Sequence, residues 1–186
     1  MAPRPGLDTN KVVLAAAELA DERGFHQVTL ALLADKLKVR TPSLYNHIGG
    51  LPELQMRLAL MGIEQLRQTI VEAAVGKTGK AALLDVGVAY VQYVRRRPGL
   101  YEAVNAAARM KDEEIQAASA KIVDVIIKVM SITTMEHKDI IHAVRGLRSI
   151  VHGFALLDMA GGFGIPIDPD ESLRKILNTY LDGLFG

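Results

Sequence analysis

Ser43, Tyr45, Asn46 and His47 fall within one short stretch, LADKLKVRTPSLYNHIGG, residues 33 to 50. Their hydroxyl, phenol, amide and imidazole groups can each hydrogen-bond a phosphate oxygen or a base edge. Lys36, Lys38 and Arg40 precede them, and no acid occurs from residue 36 to residue 52. If Leu44 and Ile48 face a core, a step of about 100° per residue turns Pro42, Ser43 and Asn46 directly away from it. Tyr45 and His47 flank that outward face. A helix so short and polar buries little, so its side chains are available to a partner. Spacing alone fits a short polar connector between longer helices equally well, and charge runs such as Lys36–Lys38–Arg40 usually just solvate a face.

A second set of groups could do different chemistry. Asp139 and His142 stand at i, i+3, with His137 and His152 nearby in sequence. A di-metal helical bundle needs two carboxylate–histidine pairs and further carboxylates on partner helices. There is no Glu-x-x-His and no second pair. No Ser-His-Asp signature or phosphate-cradling glycine loop stands out either. We therefore expect no catalytic residue, no metal ligand and no cofactor, with these histidines at the surface or satisfied in a core.

The elements that would position the polar stretch are helical throughout. From Asn10, the residues Val13, Ala16, Ala17 and Ala20 recur at helical spacing and Gly24 follows as a stop, with Thr9 or Asn10 as cap. Thr29 stands where an N-cap belongs, ahead of Leu30, Leu33 and Leu37. Thr41 is the expected cap of a third helix over residues 41 to 48, with Pro42 at its first position and Gly49-Gly50 at its end. Two helices joined by a break of about three residues have the geometry of a helix-turn-helix, whose second helix enters the major groove of DNA. Six further helices follow. They run from Leu51 to about Val75, from Lys80 to Arg97, across residues 100 to 110 and 113 to 130, and over 138 to 159 and 170 to 185. Nothing alternates with period two. The prediction is an all-α chain of about nine helices, divided into an N-terminal module over residues 1–50 and a larger helical domain over 51–186.

Bulk properties narrow the function. The chain has 186 residues, a net charge of +1 and no cysteine. Near-neutrality means that any nucleic-acid binding must come from a local patch. Absence of cysteine rules out disulfides, thiolate metal sites and a cysteine nucleophile. No signal-like run opens the sequence, and no uncharged apolar stretch approaches ~18 residues. The expectation is a cytoplasmic protein with no membrane partner.

The order of helix, TLALLADKL, turn, TPSLYNHI and a long helix resembles the TetR family of bacterial transcription regulators. Leu44-Tyr45-x-His47 and Thr29 carry most of that match. The segment RSIVHGFALLDMAGGF, residues 148 to 163, is similar to the ligand-domain helix of a subgroup with a His-Gly element. The resemblance implies that Thr29 meets a backbone phosphate, that Ser43 and Tyr45 contact phosphates, and that Thr41, Pro42, Asn46 and His47 face bases. Lys38 and Arg40 complete the expected DNA-binding set. Three positions depart from the family pattern: Lys38 where glycine is usual, Ala31 for a commonly basic residue, and Leu51 for a lysine that often reaches phosphate.

The resemblance also implies a two-fold homodimer built from the last two helices, with Leu147, Ile150, Val151, Phe154, Leu177 and Leu181 as seam candidates. It would place two reading helices about 34 Å apart, matching a palindromic operator. Tyr90, Tyr93, Tyr101, Met110, His142, Phe154 and Met159 are candidates for a mostly apolar effector pocket, although such residues at helical spacing are more often core. The expected function is a ligand-responsive, dimeric repressor of double-stranded-DNA targets. The alternatives are a helical protein-interaction dimer without DNA binding and, lower in weight, a metal-dependent helical-bundle enzyme.

Overall fold

The computed structural model describes residues 7–131 and 133–186. Among the described residues there are nine α-helices, one 3-10 turn and no strand, as expected of an all-α chain. Helix α1 spans Thr9–Arg23 and buries Val12, Val13, Ala16, Ala17, Leu19 and Ala20. Its cap is Asp8, one residue before the expected pair: the carboxylate accepts from the Lys11 backbone N–H at 2.8 Å, which holds its pKa below the usual value. Thr9 is used elsewhere, its hydroxyl donating to the His47 carbonyl at 3.1 Å.

A 3-10 turn, Phe25–Gln27, leads into α2, Leu30–Leu37. The third helix is shorter than expected. Helix α3 spans only Thr41–Leu44, with Arg40 at the N-cap and Thr41 already inside the helix. Tight turns continue the path, His47 and Ile48 both donating backbone N–H to the Leu44 carbonyl. Then come α4 (Leu51–Ala74), α5 (Gly79–Arg96), α6 (Pro98–Ala107), α7 (Glu113–Met130), α8 (His137–Met159) and α9 (Pro169–Phe185).

The chain divides into two compact units that are not continuous in sequence. The first takes the residues up to Ile63 together with Arg97–Gln116; the second takes Glu64–Arg96 and Ala117–Gly186. The expected border at 50/51 therefore differs from the division by packing, because α4 runs through it and α6 joins the first unit. The reason lies in the start of α6. A Cβ added at Gly99 would sit 2.1 Å from the Ala20 carbonyl carbon, so only glycine allows the two backbones to touch. The Asp21 carboxylate then caps α6 from α1, accepting from Gly99 N–H at 2.9 Å and Leu100 N–H at 3.2 Å. It also pairs with Arg97 at 2.6 Å. In return, Glu102 of α6 accepts from the Phe25 N–H at 2.8 Å. Leu33, Leu44, Leu54, Leu58 and Leu100 are fully buried in this unit.

In the second unit α5 packs against both α8 and α9. The Tyr180 hydroxyl of α9 donates to the Ala143 carbonyl of α8 at 2.8 Å. This brings the phenol so close to α8 that a Cβ at Gly146 would lie 2.2 Å from its oxygen. Arg95, near the end of α5, pairs at 2.6 Å with Asp158 of α8 and at 2.6 Å with Asp170 of α9. Helix α8 is long and apolar enough to cross a membrane by length and composition. Its Ile140, Ala143, Val144, Leu147, Val151, Phe154 and Ala155 are buried in the protein, as befits a core helix.

The expected seam residues take part in that packing. Leu147, Val151, Phe154, Leu177 and Leu181 are buried within the protomer, the last two completely, and only Ile150 stays partly exposed. Helix α9 buries Leu173, Leu177 and Leu181, packed against α5 and α8.

Candidate nucleic-acid interface

The polar stretch is positioned from below by two leucines and an isoleucine. Leu33 of α2 and Leu44 of α3 are fully buried, and Ile48 nearly so. Thr29 caps α2, its hydroxyl oxygen accepting from the Leu32 N–H at 3.2 Å while the side chain remains exposed. Lys38 ends α2 in the left-handed conformation, φ 56° and ψ 43°, and its backbone N–H returns to Asp35. A non-glycine residue there costs roughly 1 kcal/mol. That left-handed residue ends α2 three positions before α3 begins.

Between the anchors, the expected reading residues fall on the outside to different degrees. Tyr45 is 58 % exposed. Pro42 and Asn46 are exposed as well, as are Lys38 and Arg40. Thr41, Ser43 and His47 are half-buried. The outward face thus holds a phenol, an amide and two cations, with hydroxyl and imidazole groups at its edge. Lys36, the other member of the basic run, turns back to α1. It meets Glu22 at 2.8 Å and Glu18 at 3.4 Å, and the Glu22 contact foremost holds its ammonium above the usual pKa. The positive charge left at the face comes from Lys38 and Arg40.

Two supports escaped the sequence reading. The first is the Thr9–His47 bond, which ties the start of α1 to the segment after α3. The second is Glu53, whose Oε2 accepts from the Gly49 N–H at 2.6 Å and whose Oε1 accepts from Arg57 at 2.7 Å. The Gly49 N–H, and after it Arg57, holds the Glu53 carboxyl below the ordinary carboxylate range. A carboxylate in the first turn of α4 also repels a phosphate near that helix start, where Leu51 stands for the family's lysine.

The remaining candidates are spread out. Tyr90, Tyr93 and Phe154 are buried in the second unit; His142 and Met159 are exposed. Tyr101 is buried and Met110 half-buried, both in the first unit. Among the described residues, no group of three or more histidines, cysteines or carboxylates could hold a metal ion.

Comparison with known proteins matches residues 12–49 to the family described as bacterial regulatory proteins, tetR family. Residues 83–180 match the Tetracyclin repressor-like, C-terminal domain. The chain is 39 % identical over 185 residues to the uncharacterized HTH-type transcriptional regulator YobS of Bacillus subtilis (strain 168), covering 99 % of this chain and 96 % of that protein. It is 28 % identical over 156 residues to the uncharacterized HTH-type transcriptional regulator Rv0681 of Mycobacterium tuberculosis, covering 83 % of this chain and 72 % of that one. Among solved structures, a protein of unknown function from Rhodococcus sp. RHA1 superposes with a TM-score of 0.82 at 20 % identity, covering 98 % of each chain. A TetR variant from Acinetobacter baumannii AYE in complex with minocycline superposes with a TM-score of 0.72 at 20 % identity, covering 96 % of this chain and 97 % of that one. These likenesses span the buried anchors, the exposed polar segment and the larger helical half together. The chain is a DNA-binding transcriptional regulator and not an enzyme, and it belongs to the TetR family.

Proposed function

We propose that the protein is a homodimeric, ligand-responsive repressor that reads a palindromic operator through the segment 41–48. The carrying observation is the split within that segment: Leu44 and Ile48 are buried while Pro42, Tyr45 and Asn46 face outward. Asn46 and His47, with Thr41 and Pro42 beside them, are assigned to base edges. Thr29, Ser43, Tyr45, Lys38 and Arg40 are assigned to phosphates, which fix register without carrying sequence information.

Members of the family are dimeric and take small-molecule effectors. For the seam, exposed positions on α8 and α9 replace the buried candidates. Ile150, Gly153 and Leu157 share one stripe of α8, and Ile176, Thr179 and Gly183 one stripe of α9; all six are at least partly exposed. Small residues in both stripes let helices approach. For the effector, support comes from α7. Ile122, Val123, Val125, Ile127 and Val129 all remain partly accessible, so an apolar helix is left incompletely packed. An apolar effector there, with Tyr90, Tyr93 and Phe154 as further pocket residues, would shift the population of DNA-competent dimers. The proposed setting is the cytoplasm, where a DNA-reading protein meets its target.

The test is selection of bound sequences from a random duplex library, with sedimentation of the complex. The reading expects enriched sites with two-fold symmetry bound by two protomers. Enrichment of asymmetric sites bound by single protomers would reject the palindromic reading, and absence of any duplex binding would favour the protein-interaction alternative.

A further inference from the structure

A cleft of about 360 Å3 opens between α1 and α4 of the first unit, lined by Asn10, Val13, Leu14, Arg57, Leu60 and Met61. None of these belongs to the proposed DNA face or effector pocket. Leu14 is 51 % exposed, and Leu60 and Met61 are half-buried beside it, so the cleft has an apolar wall in contact with water.

The lining is sorted along the helices. Helix α1 starts beside His47, through the Thr9 hydroxyl bond, and α4 starts just after Gly50. Asn10 and Arg57 are therefore the lining residues nearest the α3–α4 turn on their respective helices. Leu14 and Met61 lie one helical turn beyond them. One end of the cleft carries an amide and a guanidinium; the other is hydrocarbon. The Arg57 guanidinium gives its Nε and Nη2 edge to Glu53, at 2.7 Å and 2.6 Å. An exposed pair of this kind is weakly held and open to exchange, and a guanidinium has five donors in a fork that matches a carboxylate.

We propose that this cleft binds a small amphipathic carboxylate, an alkyl chain of about eight carbons or an aryl group of similar bulk. Its carboxylate sits on Arg57 and Asn10, and its tail lies against Val13, Leu14, Leu60 and Met61. Displacement of Glu53 frees the guanidinium fork for the incoming carboxylate, and the apolar wall takes the tail. Binding also reaches the DNA face. The ligand competes with Glu53 for Arg57, and the same Glu53 holds the Gly49 N–H directly after His47. That second step rests on the proposed reading role of residues 41–48; the binding step does not.

Sodium octanoate titrated into the full-length protein without DNA tests the site, read by calorimetry and by the Met61 methyl resonance. Saturable binding with a Kd on the order of 0.1–1 mM is expected, the affinity of a small ligand on a shallow site. Arg57→Gln should weaken octanoate at least about tenfold, as loss of a charged partner would, and leave 1-octanol binding unchanged. Leu14→Trp, a substitution at an exposed position, should block both probes. Absence of saturable binding to the wild type, or equal octanoate affinity in the wild type and both variants, overturns the proposal. If octanoate binds as expected but leaves the affinity for a selected operator unchanged, the coupling to DNA is overturned. Failure of the protein to bind any duplex would instead sink the repressor reading and leave the cleft standing.

Discussion

At the scale of single residues, Asn46 and His47 carry the heaviest assignment, because an amide or imidazole at a base edge discriminates between bases and a hydroxyl on phosphate does not. Asn46→Ala should relax preference at one operator position, at a cost of roughly 1–3 kcal/mol. Competition against single-base operator variants measures it, and an unchanged preference profile would remove Asn46 from the reading set. Tyr45→Phe, by contrast, should weaken binding by about the same factor at every sequence. Glu53 sets a pH dependence. Its folded pKa is depressed by the Gly49 N–H and then by Arg57. Its contribution is therefore present above the unfolded value near 4.5 and fades as pH falls through the folded value. Glu53→Gln should flatten the acid limb of the stability curve, seen in denaturant melts across that range; identical limbs for both proteins would refute the assignment.

At the scale of elements, the α8–α9 crossing is fixed by a phenol lying over a glycine. Gly146→Ala should push Tyr180 off the Ala143 carbonyl and destabilise the protein by about 1–3 kcal/mol, an overpacking cost. Pairing it with Tyr180→Leu should recover part of that loss in a double-mutant cycle, whereas strictly additive effects would place the strain elsewhere. Most helices were legible because their apolar residues keep one period: Val12, Val13, Ala16 and Leu19 are buried in α1, as Leu173, Leu177 and Leu181 are in α9. What periodicity cannot tell is which partner the stripe meets, and so Leu177 and Leu181 read as a surface between copies when they belong to the protomer core. Helix ends were blurred for a similar reason. Asp8, Thr9 and Asn10 are all competent caps, and their order is decided by His47, far along the chain. Residues 45 to 48 carry helical spacing, yet two tight turns suffice to bury Ile48. The exposure of Pro42, Tyr45 and Asn46 was legible because they alternate with the apolar anchors Leu44 and Ile48 at close to helical spacing. Glu53 was not, because its partner is a backbone N–H with no sequence signature.

At the scale of the whole molecule, a chain with a net charge of only +1 must attract DNA locally. With Lys36 tied to Glu18 and Glu22, and Leu51 and Ala31 where cations are common in the family, the proposed DNA face offers few cations to phosphates. The salt dependence of operator binding should be shallow for this family. Leu51→Lys should steepen the log–log slope by about two in a dimer, near one counterion per half-site. An unaltered slope in salt titrations of that variant would show that position 51 never approaches the duplex.

The contact of Gly99 with Ala20 also bears on how such a regulator could be rebuilt. Domain-swapping by a simple cut near residue 50 would leave Asp21 and the Phe25 N–H facing a foreign stretch of chain. A graft that keeps Arg97 through Glu102 native, inserted as an island inside the borrowed C-terminal part, preserves the contacts that hold α6 on α1. Recombinants should therefore sort into folded and misfolded according to the parent of that island, whatever the join near residue 50.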